Sequence, residues 1–349
     1  MIMDYGLQDR RIFLDDLGER KKVELFLNNE GIRLDKNLEY TIGVYDSKQL
    51  VATGSFFKNT LRCLAVSSDY KGQGVTNMLV SELMSEQYYR GYTDIFLYTK
   101  CDTAKFFQNA GFNEIARIED AVVLMENNPN GIQQYVKSLS KKRVDADKVA
   151  SIVVNANPFT LGHQYLIEKV ASENDVVHLF VVSEDASIIP FSVRYDLVKK
   201  GTKHLKNVII HKAGNYIISS ATFPSYFIKD GRSVVDTHAR LDLEIFKRYI
   251  VPALGINRRY VGEEPYCKVT RKYNEIMKST LEKAGVECII VPRLELKGEA
   301  ISASKVRNYI KEGKMAEVKK LVPNSTYEYF KSKAAAELVE KIKNNIGRH

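Results

Sequence analysis

Residues 149–174 read VASIVVNANPFTLGHQYLIEKVASEN, and the change of period inside them decides the fold. The first six residues form an unbroken apolar run, short enough for a strand buried on both faces. The last eleven, QYLIEKVASEN, carry apolar residues at helical spacing. Between them the stretch NPFTLGH (157–163) packs Pro158, Gly162 and His163 close together. Asn-Pro opens turns and glycine suits a tight corner, so a plain structural turn accounts for the residue types. A strand that passes directly into a helix offers more than a turn, however. It leaves backbone N–H groups and the positive end of a helix dipole at the strand's carboxyl end, which is a seat for phosphate.

Outward from this stretch the same alternation recurs. Apolar runs lie at 175–182 (DVVHLFVV), 207–211 (NVIIH), 258–262 (RRYVG) and 287–292 (ECIIVP), with helical stretches such as SVRYDLVKKGTKHL and YNEIMKSTLEKAG between them. Short apolar strands separated by longer amphipathic helices predict a parallel sheet covered on both faces. Ligands in such sheets bind outside the carboxyl ends of the strands, where NPFTLGH falls. A polar turn cluster, ENNPNG (126–131), marks a seam and is followed by IQQYVKSLSKKR as a connecting helix. The expected organisation is α/β throughout: a first domain over 1–130, a linker helix over 131–144, and a second, Rossmann-like domain over 145–349 that ends in helices.

Composition sets the remaining bounds. A chain of 349 residues exceeds one ordinary core, and 44% hydrophobic residues is a globular value. No apolar run reaches 18 residues, so no membrane partner is expected. The start, MIMDYGLQDRRIFLDDLGERKK, lacks the order of a signal peptide, which makes the cytoplasm the expected address. Cys63, Cys101, Cys267 and Cys288 are scattered without CxxC spacing, against a zinc site or a disulfide framework, and no protein-bound metal is expected. The net charge of +9 suits a phosphate-bearing partner. Its lysines and arginines are interleaved with acids on helices, and no RNA-binding signature stands out. Nucleic acid is therefore not expected, and an anionic small molecule or an acidic protein is.

Thr160-Leu161-Gly162-His163 resembles the signature loop of the nucleotidyltransferase superfamily, which ends in (His or Thr)-x-Gly-His. ISASKVRNYI (301–310) is similar to that superfamily's Ile-Ser-x-(Thr or Ser)-x-x-Arg motif, with Ser302, Ser304 and Arg307 in the matching positions. The resemblance implies ATP as ligand. It places His163 at the α-phosphate and its bridging oxygen, and Thr160 and Asn155 on phosphate. Asn157, Phe159 and Gly162 would line the nucleotide, Ser302 and Ser304 would hold the triphosphate, and Arg307 would hold the leaving pyrophosphate. Many relatives carry Gly-(Ser or Thr)-Phe-Asp-Pro before the first motif, where this chain has Val154-Asn155-Ala156-Asn157-Pro158; the Asn155 amide then replaces a hydroxyl. In VGEEPYCKVTRKYN (261–274), Gly262, Glu263 and the residues up to Tyr266 would frame adenine and ribose, with Cys267 as pocket wall and Thr270 and Arg271 reaching phosphate. A solvated helix start is the alternative there. Arg194 and Arg240 stay open between a ligand contact, on ATP and on acetate respectively, and helix-surface charge. His178, His204 and His211 have no catalytic context.

The first domain has its own signature. Residues 64–99, LAVSSDYKGQGVTNMLVSELMSEQYYRGYTDIFLYT, followed by AKFFQNAGFNEI (104–115), resemble the α+β GNAT acetyltransferase fold. In that family a loop (Gln or Arg)-x-x-Gly-x-(Gly or Ala) grips the pyrophosphate of coenzyme A. Here it reads Asp69-Tyr70-Lys71-Gly72-Gln73-Gly74, so Lys71, Gly72 and Gly74 carry the grip and Asp69 departs from the pattern.

A GNAT-like domain followed by these nucleotidyltransferase motifs resembles the citrate lyase ligase family. That resemblance implies an ATP-dependent acid–thiol ligase with Mg²⁺ accompanying the triphosphate. Acetate would be activated as acetyl-AMP and transferred to the thiol of a dephospho-CoA-derived prosthetic group on the acyl carrier (gamma) subunit of citrate lyase, with release of AMP and diphosphate. Two other readings use the same residues. An adenylyltransferase making a dinucleotide-type product needs both motifs but no GNAT-like domain. A carrier-binding module without turnover fits Asp69 but not the intact motif pair.

Overall fold

The computed structural model describes residues 6–183, 187–218, 223–228, 234–264, 268–296 and 298–344. It divides into two compact units, Met1–Tyr135 with Phe223–Thr237, and Val136–Thr222 with His238–His349.

The first unit is an α+β layer pair. Its sheet contains β1 (Leu7–Ile12), β2 (Tyr40–Asp46), β3 (Gln49–Phe57), β4 (Thr60–Val66), β5 (Phe96–Thr99), β6 (Asn113–Ile118) and β7 (Val122–Glu126), in the order β1-β2-β3-β4-β5-β7-β6. Helices α1 (Leu17–Asn29), α2 (Val75–Tyr89) and α3 (Ala104–Asn109) connect the strands. Asp16 starts α1 by accepting the N–H groups of Gly18 and Glu19 at 2.7 and 3.0 Å, which satisfies two orphan donors of the first turn. Val75, Leu79, Val80 and Leu83 form the buried stripe of α2, inside a core that includes Phe56, Leu61, Leu97 and Met125. Every strand pair is antiparallel except β4–β5. That parallel pair is joined over two residues, Thr60 with Phe96 and Leu61 with Leu97. Beyond Leu61, β4 runs on without β5 into the loop that holds Gly72 and Gly74.

The segment Phe223–Ile228 belongs with this first unit, although an undivided second domain over 145–349 was expected. The reason is its apolar content. Phe223 meets the Tyr98 ring edge-on at 5.5 Å, and Arg33 donates from its main chain to Tyr226 O and from its guanidinium to Ser225 O, each at 3.0 Å.

Helix α4 (Gly131–Ser140) carries the chain into the second unit. There β8 (Val149–Val154), β9 (Val176–Val181), β10 (Val208–Lys212), β11 (Arg258–Gly262) and β12 (Glu287–Val291) form a parallel sheet in the order β10-β9-β8-β11-β12. Each strand coincides with an apolar run of the sequence to within a residue at either end. The order reverses between β8 and β11, and that switch point is where such sheets bind ligands. Helices α5 (Leu161–Glu173), α6 (Phe191–Gly201), α7 (Val234–Ile245), α8 (Val251–Leu254) and α9 (Lys268–Glu282) follow in chain order. A two-residue hairpin, β13 (Glu295–Leu296) with β14 (Glu299–Ala300), leads into α10 (Ala303–Lys311), α11 (Met315–Lys319), α12 (Asn324–Lys331) and α13 (Ala336–Asn344). The C-terminal helices share a core around Val306, Ile310, Val318 and Phe330. Among the described residues no helix is long and apolar enough to cross a membrane.

His178 on β9 and His211 on β10 are buried side by side, Nδ1 to Nε2 at 2.9 Å, with His211 stacked on Phe180. Burial pushes the His178 and His211 rings down to about 4 and about 3, with Lys142 adding to both and His178 to His211. Unfolded imidazoles take up protons near pH 6.5. From there downward the unfolded chain binds more protons than the native one, so the stability these neutral rings contribute is complete above that pH and lost as pH falls toward 4. His211→Gln should therefore flatten the acid-side decline of unfolding free energy below pH 6.5, by a slope of up to about 1.4 kcal/mol per pH unit. An unchanged slope in thermal melts would assign the proton uptake to other groups.

Candidate functional site

The site is built from the loop after β8. Thr160 is the N-cap of α5, with its hydroxyl accepting the His163 main-chain N–H at 3.3 Å. His163 answers through its ring: Nδ1 accepts the Thr160 N–H at 3.1 Å and lies 2.8 Å from the Thr160 hydroxyl. This is a capping box in which a histidine stands where Glu or Gln is usual. An Nδ1 that accepts leaves the proton of the neutral ring on Nε2. Burial, and then the positive charge of Arg293, push His163 down to about 4. The ring is neutral at pH 7, with Nε2–H as its donor.

Beneath that ring lies Phe159, fully buried and nearly parallel to it, with centroids 5.9 Å apart and 19° between planes. Phe159 in turn needs Gly201, where a Cβ would come within 2.2 Å of Phe159 Cε1. Arg194 on α6, fully buried, ties down the other end of the loop. It donates from Nε to Ile189 O at 3.0 Å and from Nη1 to Asn155 O at 2.9 Å, Asn155 Oδ1 at 3.0 Å and Val182 O at 2.8 Å. The carboxyl ends of β8 and β9 are thus joined through one guanidinium. Its burial removes the exposed-helix-charge reading of Arg194.

The second motif meets the first. Ser302 caps α10 by accepting the Lys305 N–H at 3.2 Å. Arg307, one turn on, donates from Nη1 to Asn157 O at 2.5 Å and from Nη2 to Ser304 Oγ at 3.2 Å. Gly162 faces Ile301, whose carbonyl oxygen would lie 3.2 Å from an added Cβ. The beginnings of α5 and α10 are therefore adjacent, and two helix N-termini with an arginine collect positive potential in one place.

The third wall comes from the ends of β11 and β12. Gly262 closes β11, and nothing lies within 4 Å of where its Cβ would stand. Glu263 is exposed; its N–H donates to Val291 O at 2.8 Å, and its carbonyl accepts Arg293 Nε at 2.7 Å. Arg293 also pairs with Glu264.

The sequence matches known proteins along its length. Residues 149–330 fit the profile of the citrate lyase ligase C-terminal domain. Citrate (pro-3S)-lyase ligase of Escherichia coli K12 is 37% identical over 322 residues, which is 90% of this chain and 92% of that one. The Klebsiella pneumoniae protein of the same name is 38% identical over 93% of this chain and 96% of its own. This chain belongs to the citrate lyase ligase family. Among solved structures, a GNAT-family acetyltransferase from Staphylococcus aureus Mu50 covers 35% of this chain and 98% of its own (14% identity, TM-score 0.30). A Vibrio parahaemolyticus protein named for nicotinate-nucleotide adenylyltransferase covers 58% of this chain and 100% of its own (16% identity, TM-score 0.37).

In this citrate lyase ligase relative, the predicted residues of the second unit do not all face the same way. His163, Ser302, Ser304, Arg307 and Gly262 gather at the carboxyl end of the sheet. Phe159, expected against the nucleotide, is core and packs under the His163 ring. Thr160 is buried, and its hydroxyl, expected on phosphate, belongs to the helix cap. Asn157 is also buried, and its side-chain oxygen accepts the Ile189 N–H at 3.3 Å. Asn155 is exposed and exchanges hydrogen bonds with Ser187 at 3.1 and 3.2 Å. Pro265, Tyr266 and Cys267 lie outside the described residues, and Arg271 is exposed with Nε 3.5 Å from Glu264 O. In the first unit, Gly72 and Gly74 have φ of +79° and +80°, which favours glycine, and no atom approaches within 4 Å of where their Cβ would be. Lys71 beside them is exposed and 3.7 Å from Glu30. Sequence reasoning missed Arg293 and left Arg194 undecided. A lone arginine after a strand gives no spacing signal until the fold shows its neighbours.

Gly201→Ala should lower stability by about 1–3 kcal/mol, the scale of an overpacked core. The helix-propensity gain of up to about 1 kcal/mol is too small to offset it. Because Phe159 supports His163, catalytic activity should fall as well. Denaturant melts showing a variant as stable as the parent would mean that the ring shifts freely, and the support role would go with it.

Proposed function

We propose that this chain activates citrate lyase by acetylating the thiol of the dephospho-CoA-derived prosthetic group on its acyl carrier subunit, using acetate and ATP. The observation that carries the reading is the likeness to citrate lyase ligases over nine-tenths of the chain, which spans both units. Acetate is a poor acyl donor because its oxygen is a poor leaving group. In the proposed reaction a carboxylate oxygen attacks the α-phosphorus, the bond to the bridging oxygen breaks, and diphosphate leaves with the electron pair. The prosthetic thiol loses its proton to solvent, attacks the acetyl carbonyl, and expels AMP. No covalent protein nucleophile is required, so positioning and charge neutralisation dominate.

His163 serves as a fixed donor. Its Nε2–H meets the α-phosphate and the bridging oxygen as charge develops there, and no proton need be transferred. Arg307, with the helix starts at Leu161 and Ala303, takes the β- and γ-phosphates, and the Ser302 and Ser304 hydroxyls can donate to them. Gly262 gives adenine and ribose close approach to backbone. Mg²⁺ arrives as part of the nucleotide substrate, held mainly by phosphate oxygens and water.

The decisive experiment incubates the protein with deacetylated citrate lyase, acetate and ATP, and weighs the carrier subunit for one added acetyl group. Acetate-dependent ATP–pyrophosphate exchange should accompany it; exchange that instead requires a phosphorylated acceptor would favour the adenylyltransferase reading. His163→Ala should reduce this exchange roughly 10²–10³-fold, the effect of removing one transition-state donor. A ring held neutral down to about pH 4 also predicts no acid limb from His163 above about pH 5. Near-parental exchange by a folded His163→Ala protein would end its assignment.

For the first unit, we propose that the Lys71–Gly74 loop grips the pyrophosphate of the prosthetic arm. Lys71→Glu probes this better than a bulky replacement of Gly74, whose positive φ would strain any side chain. The expected result is retained acetate-dependent exchange with carrier acetylation reduced about ten-fold or more, by loss and reversal of one phosphate contact. Equal loss of both activities would refute the separate roles.

A further inference from the structure

The chain beyond β12 places an arginine at the site that no sequence motif marks. Arg293 is anchored on one side to the end of β11, through Glu263 O and the Glu264 carboxylate. On the other side its neighbour Leu294 accepts the Ile301 N–H at 3.0 Å, and the Ile301 carbonyl lies against Gly162 at the start of α5. Arg293 therefore stands on the strand-end rim between the β11 end and the two motif helices. Its charge is felt by the His163 ring, which it helps to keep neutral.

A guanidinium has five N–H donors. Among the described residues, Arg293 uses Nε and Nη2 and leaves both Nη1 hydrogens without a protein acceptor. Its side chain retains 25% exposure, against 12% for Glu264. A half-satisfied cation beside two helix N-termini is suited to a polyanion, and bidentate geometry favours phosphate or carboxylate oxygens.

We propose that Arg293 is a further anion-binding residue of this site, paired with Glu264 while the site is empty and turned to a phosphate of the nucleotide when it is filled. The proposal rests on the reading that the site takes ATP. Glu264 then acts as an internal competitor: it keeps the guanidinium extended and oriented, and gives it up only to a ligand with more negative charge. A purely structural ion pair behaves differently, because loss of either partner would damage the site in the same direction.

The test is a double-mutant cycle on the full chain, with ATP–Mg²⁺ and, separately, inorganic pyrophosphate titrated calorimetrically. Arg293→Gln should weaken ATP binding roughly ten-fold or more, and Arg293→Lys should restore part of the loss. Glu264→Gln should tighten binding by about two- to five-fold, since a competing acceptor is gone. In the Arg293→Gln background the Glu264 change should have little effect. Weakened binding by Glu264→Gln would overturn the proposal in favour of a structural pair. Tightening of the same size in both backgrounds would also overturn it, because Glu264 would then act by repulsion alone. A parental protein that binds no ATP would overturn the nucleotide reading itself, and that outcome is distinct from a bound nucleotide indifferent to Arg293.

Discussion

The hydrogen bond from Arg307 to the carbonyl of Asn157 spans 150 positions of sequence, and the site depends on it. One arginine fixes the loop after β8 against the first turn of α10. Around that contact the backbone must pass closely, and Gly162 supplies the room: any side chain there would press on the Ile301 carbonyl. The outcome is two helix starts aimed at one volume. Neither helix alone would hold a triphosphate firmly, since a single dipole contributes on the order of a kcal/mol and is screened by solvent.

Arg194 is the complementary constraint from below. A fully buried guanidinium is costly to desolvate, and it persists only where its donors are met. Here they meet main-chain carbonyls at the ends of β8 and β9 and before α6. Among the described residues those carbonyls belong to a loop with no ladder of its own, and buried carbonyls need such donors. The same residue thus satisfies the loop and makes it rigid, which lets the Thr160–His163 cap sit in one place. The cap occupies one nitrogen of the His163 ring and leaves the other for a ligand: the hydrogen bond to Nδ1 that starts the helix also sets the tautomer that presents Nε2–H.

The two units carry different motifs. The parallel sheet holds the TLGH loop and the ISASKVR helix start, and the mixed sheet of the first unit carries the Lys71–Gly74 loop at the end of a strand that outlasts its parallel partner. Phe223–Ile228, contributed by the later sequence, packs with the first unit through its aromatic residues. The order of elements in the chain is therefore not quite the order of cores.

The sequence by itself determined the strands of the second unit, because apolar runs of five or six residues between amphipathic helices have few other uses. It also determined the helix starts at Thr160 and Ser302, where side chains cap their own backbone three residues on, and the family, through two ordered motifs and the loop of the first domain. These are local patterns, legible without knowing what lies opposite. The tertiary structure decided which side of the loop each residue faces. Phe159 turned inward because an aromatic ring finds a dry place against Gly201, and Asn157 because its side-chain oxygen accepts the Ile189 N–H while its main-chain carbonyl accepts the Arg307 guanidinium. His178 and His211 became a buried pair only when β9 and β10 came into register. Arg293 acquired its place from neighbours 29 residues away and beyond, and spacing along a chain carries no record of such contacts.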